Sequence, residues 1–512
     1  MMGDGQNKRN SIMRVAFVAI SVFTQIGWIL LRILQLNQYS EVISVITAIL
    51  SAVVVLRLYS RHTTSAMKLP WIMLILLFPV MGLTLYLLIV FFGDLGSAGK
   101  RLNTVRRNLA EELHQDETVL TRLAGEDLAA ANQCRYLWNQ TGSPAYENTK
   151  ADYYAEACAA FEAMKAELEK AESFIFMEYF AVEDGESFRE VREILARKAR
   201  EGVEVRLLYD DIGSIGFANM RFATKLNREG IQCRVFNPAL PVLNLFMNHR
   251  DHRKITVVDG KVGFTGGFNL ANEYFGVTQP FGHWKDTGLR LEGEAVRSLT
   301  AAFLELWNVT GKTDGTADRE YLQVCHRADG GGIVQPYTDN PLGTERVAED
   351  VFLNLISHAE KTVYFTTPYL IITDELIRAF GLAAKRGVDV RIITPGIPDK
   401  RMVYQITRSY YAGLARHGVR IFEYTPGFCH AKQCICDGKI VSIGTSNLDY
   451  RSLYLHFEND VLLYGCDAVE KIAGDFEEMF PRCQEVTEQY RSGRGAMLRL
   501  WQMILRLFAP LV

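Results

Sequence analysis

His252-Arg-Lys254-Ile-Thr-Val-Val-Asp259 and His430-Ala-Lys432-Gln-Cys-Ile-Cys-Asp437 are two copies of one pattern, and this pattern decides the fold. Each copy is followed by a glycine-containing stretch that ends in asparagine, Gly266-Gly-Phe-Asn269 in the first and Gly444-Thr-Ser-Asn447 in the second. Residues two apart on a strand share a face, so each histidine and its lysine point the same way. Each aspartate lies seven positions beyond its histidine and precedes glycine in a step suited to a hairpin turn, which favours a structural or orienting role.

The segments that precede the two copies also match each other. Each half has a strand-like run, a helix-like run and a second strand-like run, at 174–180, 188–200 and 202–208 and again at 363–369, 376–386 and 387–393. Helices that end at glycine before β-branched runs are typical of βαβ units with parallel, buried strands. We therefore predict an α/β fold with two repeated halves, residues 141–320 and 321–490, joined in the glycine-rich stretch around 311–332.

Apolar residues are concentrated in the first 95 positions. Three apolar runs occur there, at about 15–36, 42–58 and 69–92, and each is near the roughly 20 residues that a helix needs to cross a bilayer. A cleavable signal peptide fits poorly because one run follows another without a cleavage site. We predict a transmembrane anchor of two to three hydrophobic helices over residues 1–95, followed by a helical connector over residues 96–140.

The orientation of this anchor follows less directly from the sequence. Basic clusters at 8–14, 57–68 and 100–107 all favour the cytoplasmic side, and three full spans cannot satisfy all of them. Either the third run, which contains Pro79 and Gly82, is re-entrant or interfacial, or one cluster departs from the rule. We favour a cytoplasmic catalytic region.

Composition argues against several classes of partner. Lys plus Arg number 56 and Asp plus Glu 59, for a net charge of −3, and no basic stretch with interleaved aromatic residues suggests a nucleic-acid groove. The nine cysteines are odd in number and form no CxxC pair, which fits reduced thiols better than a disulfide framework or a zinc site. No carboxylate cluster in the sequence demands a metal. We therefore predict no nucleic-acid partner, no metal and no cofactor.

Two HxKxxxxD motifs, each with a downstream asparagine, resemble the signature of the phospholipase D superfamily. The apolar stretch Leu69-Pro-Trp-Ile-Met-Leu-Ile-Leu-Leu-Phe-Pro-Val-Met-Gly82 and the run Gly444-Thr-Ser-Asn-Leu-Asp-Tyr-Arg-Ser452 make the chain similar to bacterial cardiolipin synthases over nearly its whole length. The first apolar run is an addition to the commonest two-segment pattern of that family. The resemblance implies two phospholipase D-like α/β/α halves packed as a pseudo-dimer and preceded by N-terminal transmembrane helices.

The paired histidines suit phosphodiester chemistry. A diester repels nucleophiles and has a poor alkoxide leaving group, and two imidazoles with an ordinary pKa near ~6.5 address both problems, one attacking phosphorus and the other protonating the departing oxygen. Lys254, Lys432, Asn269 and Asn447 are predicted to hold the phosphoryl oxygens without a metal. Which histidine attacks cannot be read from the motif.

The resemblance adds further site residues. It places Asp259 and Asp437 in the catalytic motifs, and by position it makes Asp286 and Glu458 the carboxylates that steady the imidazoles. The remaining histidines of these regions are interpreted as structural, namely His249, His283, His326, His417 and His456.

The resemblance also implies the reaction and its setting. One phosphatidylglycerol donates its phosphatidyl group to a histidine, glycerol leaves, and a second phosphatidylglycerol accepts the group to give cardiolipin. The partners are phosphatidylglycerol and membrane lipid, and the place is the bacterial cell membrane, where the chain is integral and multi-pass; the oligomeric state stays open. The apolar segment 238–247 and the amphipathic tail 491–512 are either membrane contacts or core packing.

Four alternatives remain at this point. A hydrolytic phospholipase D differs only in using water as acceptor, and another phosphatidyltransferase would use phosphatidylethanolamine or a CDP-linked donor. A membrane-tethered nuclease is disfavoured by the charge pattern. A membrane scaffold with an inactive site is disfavoured because both histidines, both lysines and both asparagines are present.

Overall fold

The computed structural model describes residues 23, 24, 26, 27, 37–61, 64–92, 95–217, 221–238, 249–492, 505, 506 and 509. It divides into two compact units, the larger of which comprises Ala98–Asn237 and His249–Met503. Most of the first apolar run, of the segment 238–247 and of the tail 491–512 lies outside the described residues. The predictions made for those three segments therefore stay predictions.

The smaller unit, called the N-terminal unit below, contains the helices α1 (Asn37–Tyr59), α2 (Ser65–Leu77) and α3 (Pro79–Phe92). The third apolar run, expected as one segment, is thus two helices that turn at Phe78. Pro79 starts the second because its ring suits a first helical position. A Cβ on Gly82 would lie 2.7 Å from Ile75 Cα, so only glycine allows this close approach of α2 and α3.

These helices bear on the predicted membrane spans. Leu58, Ile75 and Tyr86 form a small buried core between them. Of the helices that the structure describes, none combines the length and the apolar character needed to cross a membrane.

Three helices cover the predicted connector, α4 (Leu95–Ala110), α5 (Glu117–Glu126) and α6 (Leu128–Thr141). The carboxylates of Asp116 and Asp127 cap α5 and α6 by accepting from backbone N–H groups. Gly142 ends α6 in the left-handed conformation.

The larger unit contains two sheets. The first has the order β1-β9-β7-β6-β2-β3-β4, with strands β1 (Thr149–Tyr154), β2 (Phe174–Tyr179), β3 (Glu204–Asp210), β4 (Gln232–Phe236), β6 (Lys254–Val258), β7 (Val262–Gly266) and β9 (Gly288–Gly293). Strands β2, β3 and β4 are parallel and the others antiparallel.

The second sheet repeats this order as β10-β17-β16-β15-β11-β12-β13 and adds β18 at the edge. Its strands are β10 (Ile333–Asp339), β11 (Thr362–Thr366), β12 (Asp389–Pro395), β13 (Arg420–Tyr424), β15 (Gln433–Cys436), β16 (Ile440–Gly444), β17 (His456–Tyr464) and β18 (Cys483–Glu485). The predicted α/β fold with two repeated halves is confirmed.

Helices pack on both sheets. Those of the first half are α7 (Ala157–Glu169), α8 (Glu186–Arg200), α9 (Phe222–Arg228) and α10 (Val296–Gly311). Those of the second half are α11 (Val347–His358), α12 (Asp374–Lys385), α13 (Arg401–Arg416), α14 (Tyr450–Leu455), α15 (Asp467–Met479) and α16 (Thr487–Arg491). Short 3-10 turns occur at Asn272–Phe275, Thr316–Leu322 and Phe480–Arg482. As predicted, helices α8 and α12 connect the parallel pairs β2–β3 and β11–β12.

Short strands join the two halves in a reciprocal way. Strand β5 (Arg250–Asp251) of the first half pairs with the start of β17, and β14 (Gly427–Cys429) of the second half pairs with β8 (His283–Lys285) of the first. β5 comes just before His252, and β14 just before His430. Both motif histidines therefore lie where the halves meet.

Candidate active site

Each motif histidine is held by the backbone of the opposite half. The His252 N–H donates to the carbonyl oxygen of Phe457 at 2.9 Å, and the His430 N–H donates to that of Lys285 at 2.7 Å. Phe457 and Lys285 are the residues just before the two predicted supporting carboxylates, Glu458 and Asp286. The strand pairing that joins the halves thus also sets each histidine beside a carboxylate.

The carboxylates pair with the histidines crosswise. Glu458 of the second half lies 2.9 Å from Nδ1 of His252, and Asp286 of the first half lies 2.7 Å from Nδ1 of His430. Both carboxylates are fully buried. A carboxylate at Nδ1 leaves Nε2 of the ring to react and stabilises the imidazolium when it forms. The sequence predicted both carboxylates as partners of imidazoles without indicating that the pairs cross between halves.

The two carboxylates are fixed in different ways. Glu458 accepts hydrogen bonds from the hydroxyls of Thr445, at 2.5 Å, and Ser452, at 2.7 Å. Asp286 accepts one from the Thr287 N–H at 2.9 Å, and burial raises its pKa to about 7. Its Oδ1 would lie 2.0 Å from a Cβ on Gly267, so the Gly-Gly step after the first motif makes room for this carboxylate.

The histidines and motif lysines form one electrostatic cluster. The pKa of His252 is well below its ordinary value, mainly because the ring is buried and secondarily because Lys254 and Lys432 are positively charged. The pKa of His430 is also well below its ordinary value, for the same reasons. The neutral imidazole, which can offer its Nε2 lone pair, is the form that attacks phosphorus.

The lysines lie close to the rings of their own motifs. Nζ of Lys432 is 3.0 Å from Nε2 of His430, and Nζ of Lys254 donates to the His252 carbonyl oxygen at 2.6 Å. Burial lowers the pKa of Lys254 to about 7 and that of Lys432 to about 8. An anionic phosphodiester in the cluster would favour the charged form of both lysines.

The two downstream asparagines are buried beside the cluster. Asn269 accepts from the Ala181 N–H at 3.1 Å and donates to the Tyr274 hydroxyl at 2.8 Å. Oδ1 of Asn447 has no hydrogen-bond partner among the described residues. Their predicted role as phosphate ligands stays a prediction.

The two motif aspartates lie away from the cluster. Asp259 accepts from the backbone N–H groups of residues 172, 173 and 174, and Asp437 does the same with residues 360, 361 and 362. A strand rises about 3.3 Å per residue, which puts each aspartate about 20 Å from its histidine. These contacts fix the start of β2 and of β11 and agree with the structural or orienting role predicted for both aspartates, whereas their place in the catalytic set stays a prediction.

Several residues at the site were missed from sequence. His456, interpreted there as structural, has its ring centroid 5.3 Å from that of His252. Phe180 lies 5.0 Å from His252, and Tyr274 and Trp284 lie 5.3 and 5.5 Å from His430. The one available signal was that His456 and Trp284 each stand two residues before a supporting carboxylate, on the same strand face.

The described residues also contain one group able to hold a metal ion, formed by His252, His456 and Glu458. This group could not be predicted from the amino-acid sequence, because His252 is 206 positions away from Glu458.

Comparison with known proteins agrees with this architecture. The family model described as "Cardiolipin synthase, PLD-like domain" matches residues 164–307 and 352–480, and one described as "Phospholipase_D-nuclease N-terminal" matches residues 46–89. A cardiolipin synthase of Halalkalibacterium halodurans is 34% identical over 95% of this chain and 95% of its own. An uncharacterized protein of Streptococcus mutans is 39% identical over 90% of this chain and 99% of its own.

A solved structure shares the fold. Phosphatidylserine synthase of Haemophilus influenzae Rd KW20 superposes with a TM-score of 0.54 at 14% identity, covering 74% of this chain and 99% of that one.

Proposed function

This chain belongs to the bacterial cardiolipin synthases of the phospholipase D superfamily and is a phosphatidyltransferase, and from that premise we propose that it transfers a phosphatidyl group between two phosphatidylglycerol molecules through a phosphohistidine. The observation that carries the proposal is the crossed pair of histidine–carboxylate contacts, His252 with Glu458 and His430 with Asp286.

In the first step, Nε2 of one histidine attacks the phosphorus of phosphatidylglycerol. The bond from phosphorus to the headgroup glycerol oxygen breaks. The other histidine, whose imidazolium form is favoured by the negative charge of the bound diester, gives its proton to that oxygen. Free glycerol leaves and the phosphatidyl group stays on nitrogen. Lys254 and Lys432 balance the charge on the phosphoryl oxygens, which increases as the transition state forms.

In the second step, a glycerol hydroxyl of a second phosphatidylglycerol attacks the same phosphorus. The histidine that gave up its proton removes one from this hydroxyl, and the phosphorus–nitrogen bond breaks. One diester has been exchanged for another, so no nucleotide and no redox partner is consumed. Each histidine returns to its starting protonation state.

Transfer to a lipid requires that the acceptor compete with water. Both histidines are buried, and aromatic side chains pack against them, Phe180 at His252 and Tyr274 and Trp284 at His430. Such surroundings limit the access of water to the phosphohistidine.

Lys400 is a candidate contact for the second lipid, which carries a phosphate of its own. After burial and the charges of the two motif lysines, the charge of Lys400 is among the smaller causes that lower the pKa of both His252 and His430, which agrees with a position near the histidine cluster. Its side chain is 65% exposed, and its Nζ lies 5.5 Å from the ring centroid of Tyr369. We assign it to the phosphate of the acceptor.

Membrane attachment through the N-terminal unit is part of the proposal, with the catalytic region on the cytoplasmic side. Helix α1 carries exposed apolar residues at helical spacing, Val42, Val45, Ile46, Ile49 and Val53, and such a stripe suits contact with lipid. Protease protection of a tag placed after residue 492, in intact and permeabilised cells, tests the sidedness.

The test of function is to give the purified protein, in liposomes, radiolabelled phosphatidylglycerol as its only phospholipid. Cardiolipin and free glycerol in equal amounts are the expected products by thin-layer chromatography. Phosphatidic acid as the sole lipid product would replace the proposal with a hydrolytic phospholipase D. If neither forms, phosphatidylethanolamine and CDP-diacylglycerol are the next donors to test.

A further inference from the structure

His456 has no part in the two-histidine mechanism, although it lies at the site. It opens strand β17, two residues before Glu458, and its side chain is 7% exposed. Its Nδ1 is 3.5 Å from Oε1 of Glu458, and its ring centroid is 5.3 Å from that of His252. Glu458 therefore lies between two imidazoles, of which the reaction uses one.

The donor atoms of these three side chains lie close enough to share one ion. The ligand atoms of His252, His456 and Glu458 are all within 4.8 Å of one another, and all three residues are buried. Zinc binds imidazole nitrogen and carboxylate oxygen at about 2.0–2.2 Å, so two donors of one tetrahedral ion lie about 3.4 Å apart. Small movements of the rings would bring the three donors to that spacing.

The surroundings of Glu458 also suit a ligand. Thr445 and Ser452 each donate a hydroxyl hydrogen bond to it, one to each carboxylate oxygen. Metal-binding carboxylates are ordinarily oriented by such partners, because these fix the oxygen that faces the ion. Each oxygen keeps a second lone pair for the ion after accepting one of these bonds.

The second half provides an internal comparison. Asp286 corresponds to Glu458 and pairs with His430, but the residue two positions before it is Trp284, which has no ligand atom for a metal. Among the described residues, the group around Glu458 is the only one of its kind. The third donor thus exists on one side of the pseudo-symmetric site.

We propose that His252, His456 and Glu458 bind a divalent transition-metal ion, with Zn²⁺ as the best-suited probe, and that this ion reversibly inhibits the enzyme. Two imidazoles and one carboxylate are a donor set that Zn²⁺, Cu²⁺ and Fe²⁺ accept. The ion takes the place of the proton on Nδ1 of His252, and the ring stays a neutral imidazole by carrying its proton on Nε2 instead. With its Nδ1 and Glu458 both bound to the ion, His252 can no longer form a carboxylate-stabilised imidazolium.

Binding is measured separately from activity, since the inhibitory part rests on the proposed function. Metal-free full-length protein in detergent is titrated with Zn²⁺ by calorimetry, and with Co²⁺ by visible absorption. One ion per chain is expected. His430→Ala removes a catalytic histidine and leaves the three ligands in place, so it should bind zinc like the parent protein while showing no transfer.

Two variants test the ligand assignment. His456→Asn and His456→Gln each remove an imidazole from a buried polar position, and the pair guards against one failing to fold. Removing a residue that only orients a metal ligand typically lowers metal affinity by roughly 10- to 100-fold. Because His456 is proposed as a direct ligand, its loss should lower zinc affinity by more than that. Zinc affinity unchanged in both folded variants, or no zinc binding by the parent protein, would overturn the site.

The inhibition is scored against each protein's own zinc-free rate. Zinc should stop cardiolipin formation by the parent protein, a chelator should restore it, and the His456 variants should need a correspondingly higher zinc concentration. Zinc that binds without slowing transfer would overturn the inhibitory role, and so would activity that is lost with chelator and regained with metal.

Discussion

Replacing Glu458 by glutamine tests whether the crossed carboxylate stabilises the charge on His252. Glutamine keeps the size of the side chain and can still accept a hydrogen bond, but it carries no charge. The carboxylate lies 2.9 Å from Nδ1 and is fully buried, so little of its effect is lost to solvent. The imidazolium that forms in each half of the reaction should therefore lose its stabilisation.

The size of the effect follows from Coulomb's law. Charges spread over a ring and a carboxylate in this contact are centred about 4 Å apart, and at an effective dielectric constant of roughly 20 they attract by about 4 kcal/mol. The hydrogen bond that glutamine retains offsets part of this. We expect kcat for cardiolipin formation to fall by about 100- to 1,000-fold. The assay follows the release of labelled glycerol from phosphatidylglycerol in liposomes.

The matched control is Glu488→Gln, at a carboxylate whose side chain is 77% exposed and pairs with Arg491 on the surface. It should leave kcat unchanged, and Asp286→Asn should cause a loss similar to that of Glu458→Gln because it removes the partner of His430. A loss below tenfold for Glu458→Gln, in a protein with an unchanged unfolding temperature, would refute the role given to the carboxylate.

Three further outcomes are expected. Burial lowers the pKa of Lys254 to about 7 and that of Lys432 to about 8, so these lysines lose their protons as pH rises through that range and kcat/KM should fall there. Lys254→Arg removes the lower pKa and should move the start of this fall upward, toward the pKa of Lys432. A pH profile identical to that of the parent protein would contradict this prediction. Asp437→Asn weakens three backbone hydrogen bonds. It should lower the free energy of unfolding by about 1–3 kcal/mol in denaturant titrations and leave kcat per folded molecule unchanged. A loss of kcat without a loss of stability would instead indicate a catalytic role for Asp437. Lys400→Gln should raise KM for phosphatidylglycerol and increase the ratio of phosphatidic acid to cardiolipin among the products. The control Lys439→Gln, on the turn after Asp437, should change neither quantity. A product ratio unchanged in Lys400→Gln would show that Lys400 does not bind the acceptor.

The repeated fold and the placement of each motif histidine beside its lysine were predictable because their signals are local. A histidine and a lysine two apart on a strand share a face whatever the rest of the chain does. The βαβ pattern before each motif likewise needs only a short window of sequence. The division of the third apolar run into two helices at Phe78 was not predicted, although its Pro79 and Gly82 were noted in considering a re-entrant or interfacial segment.

The crossed pairs and the role of His456 were not predictable because they depend on contacts between halves. Glu458 is 206 positions from His252, and Asp286 is 144 positions from His430. Spacing within one half places each carboxylate equally well beside either histidine. Only the pairing of β5 with β17 and of β8 with β14 selects the partner.

The crossing also couples catalysis to the packing of the two halves. In an isolated first half, His252 would lose its hydrogen bond to the Phe457 carbonyl oxygen and its contact with Glu458. The backbone N–H of Lys254 would lose the hydrogen bond that it donates to the Asn459 side chain. The same holds for His430, whose backbone and ring partners, Lys285 and Asp286, both belong to the other half. Neither half can orient its own imidazole. Because both reaction steps use both histidines, a fault in the interface should impair attack and protonation together.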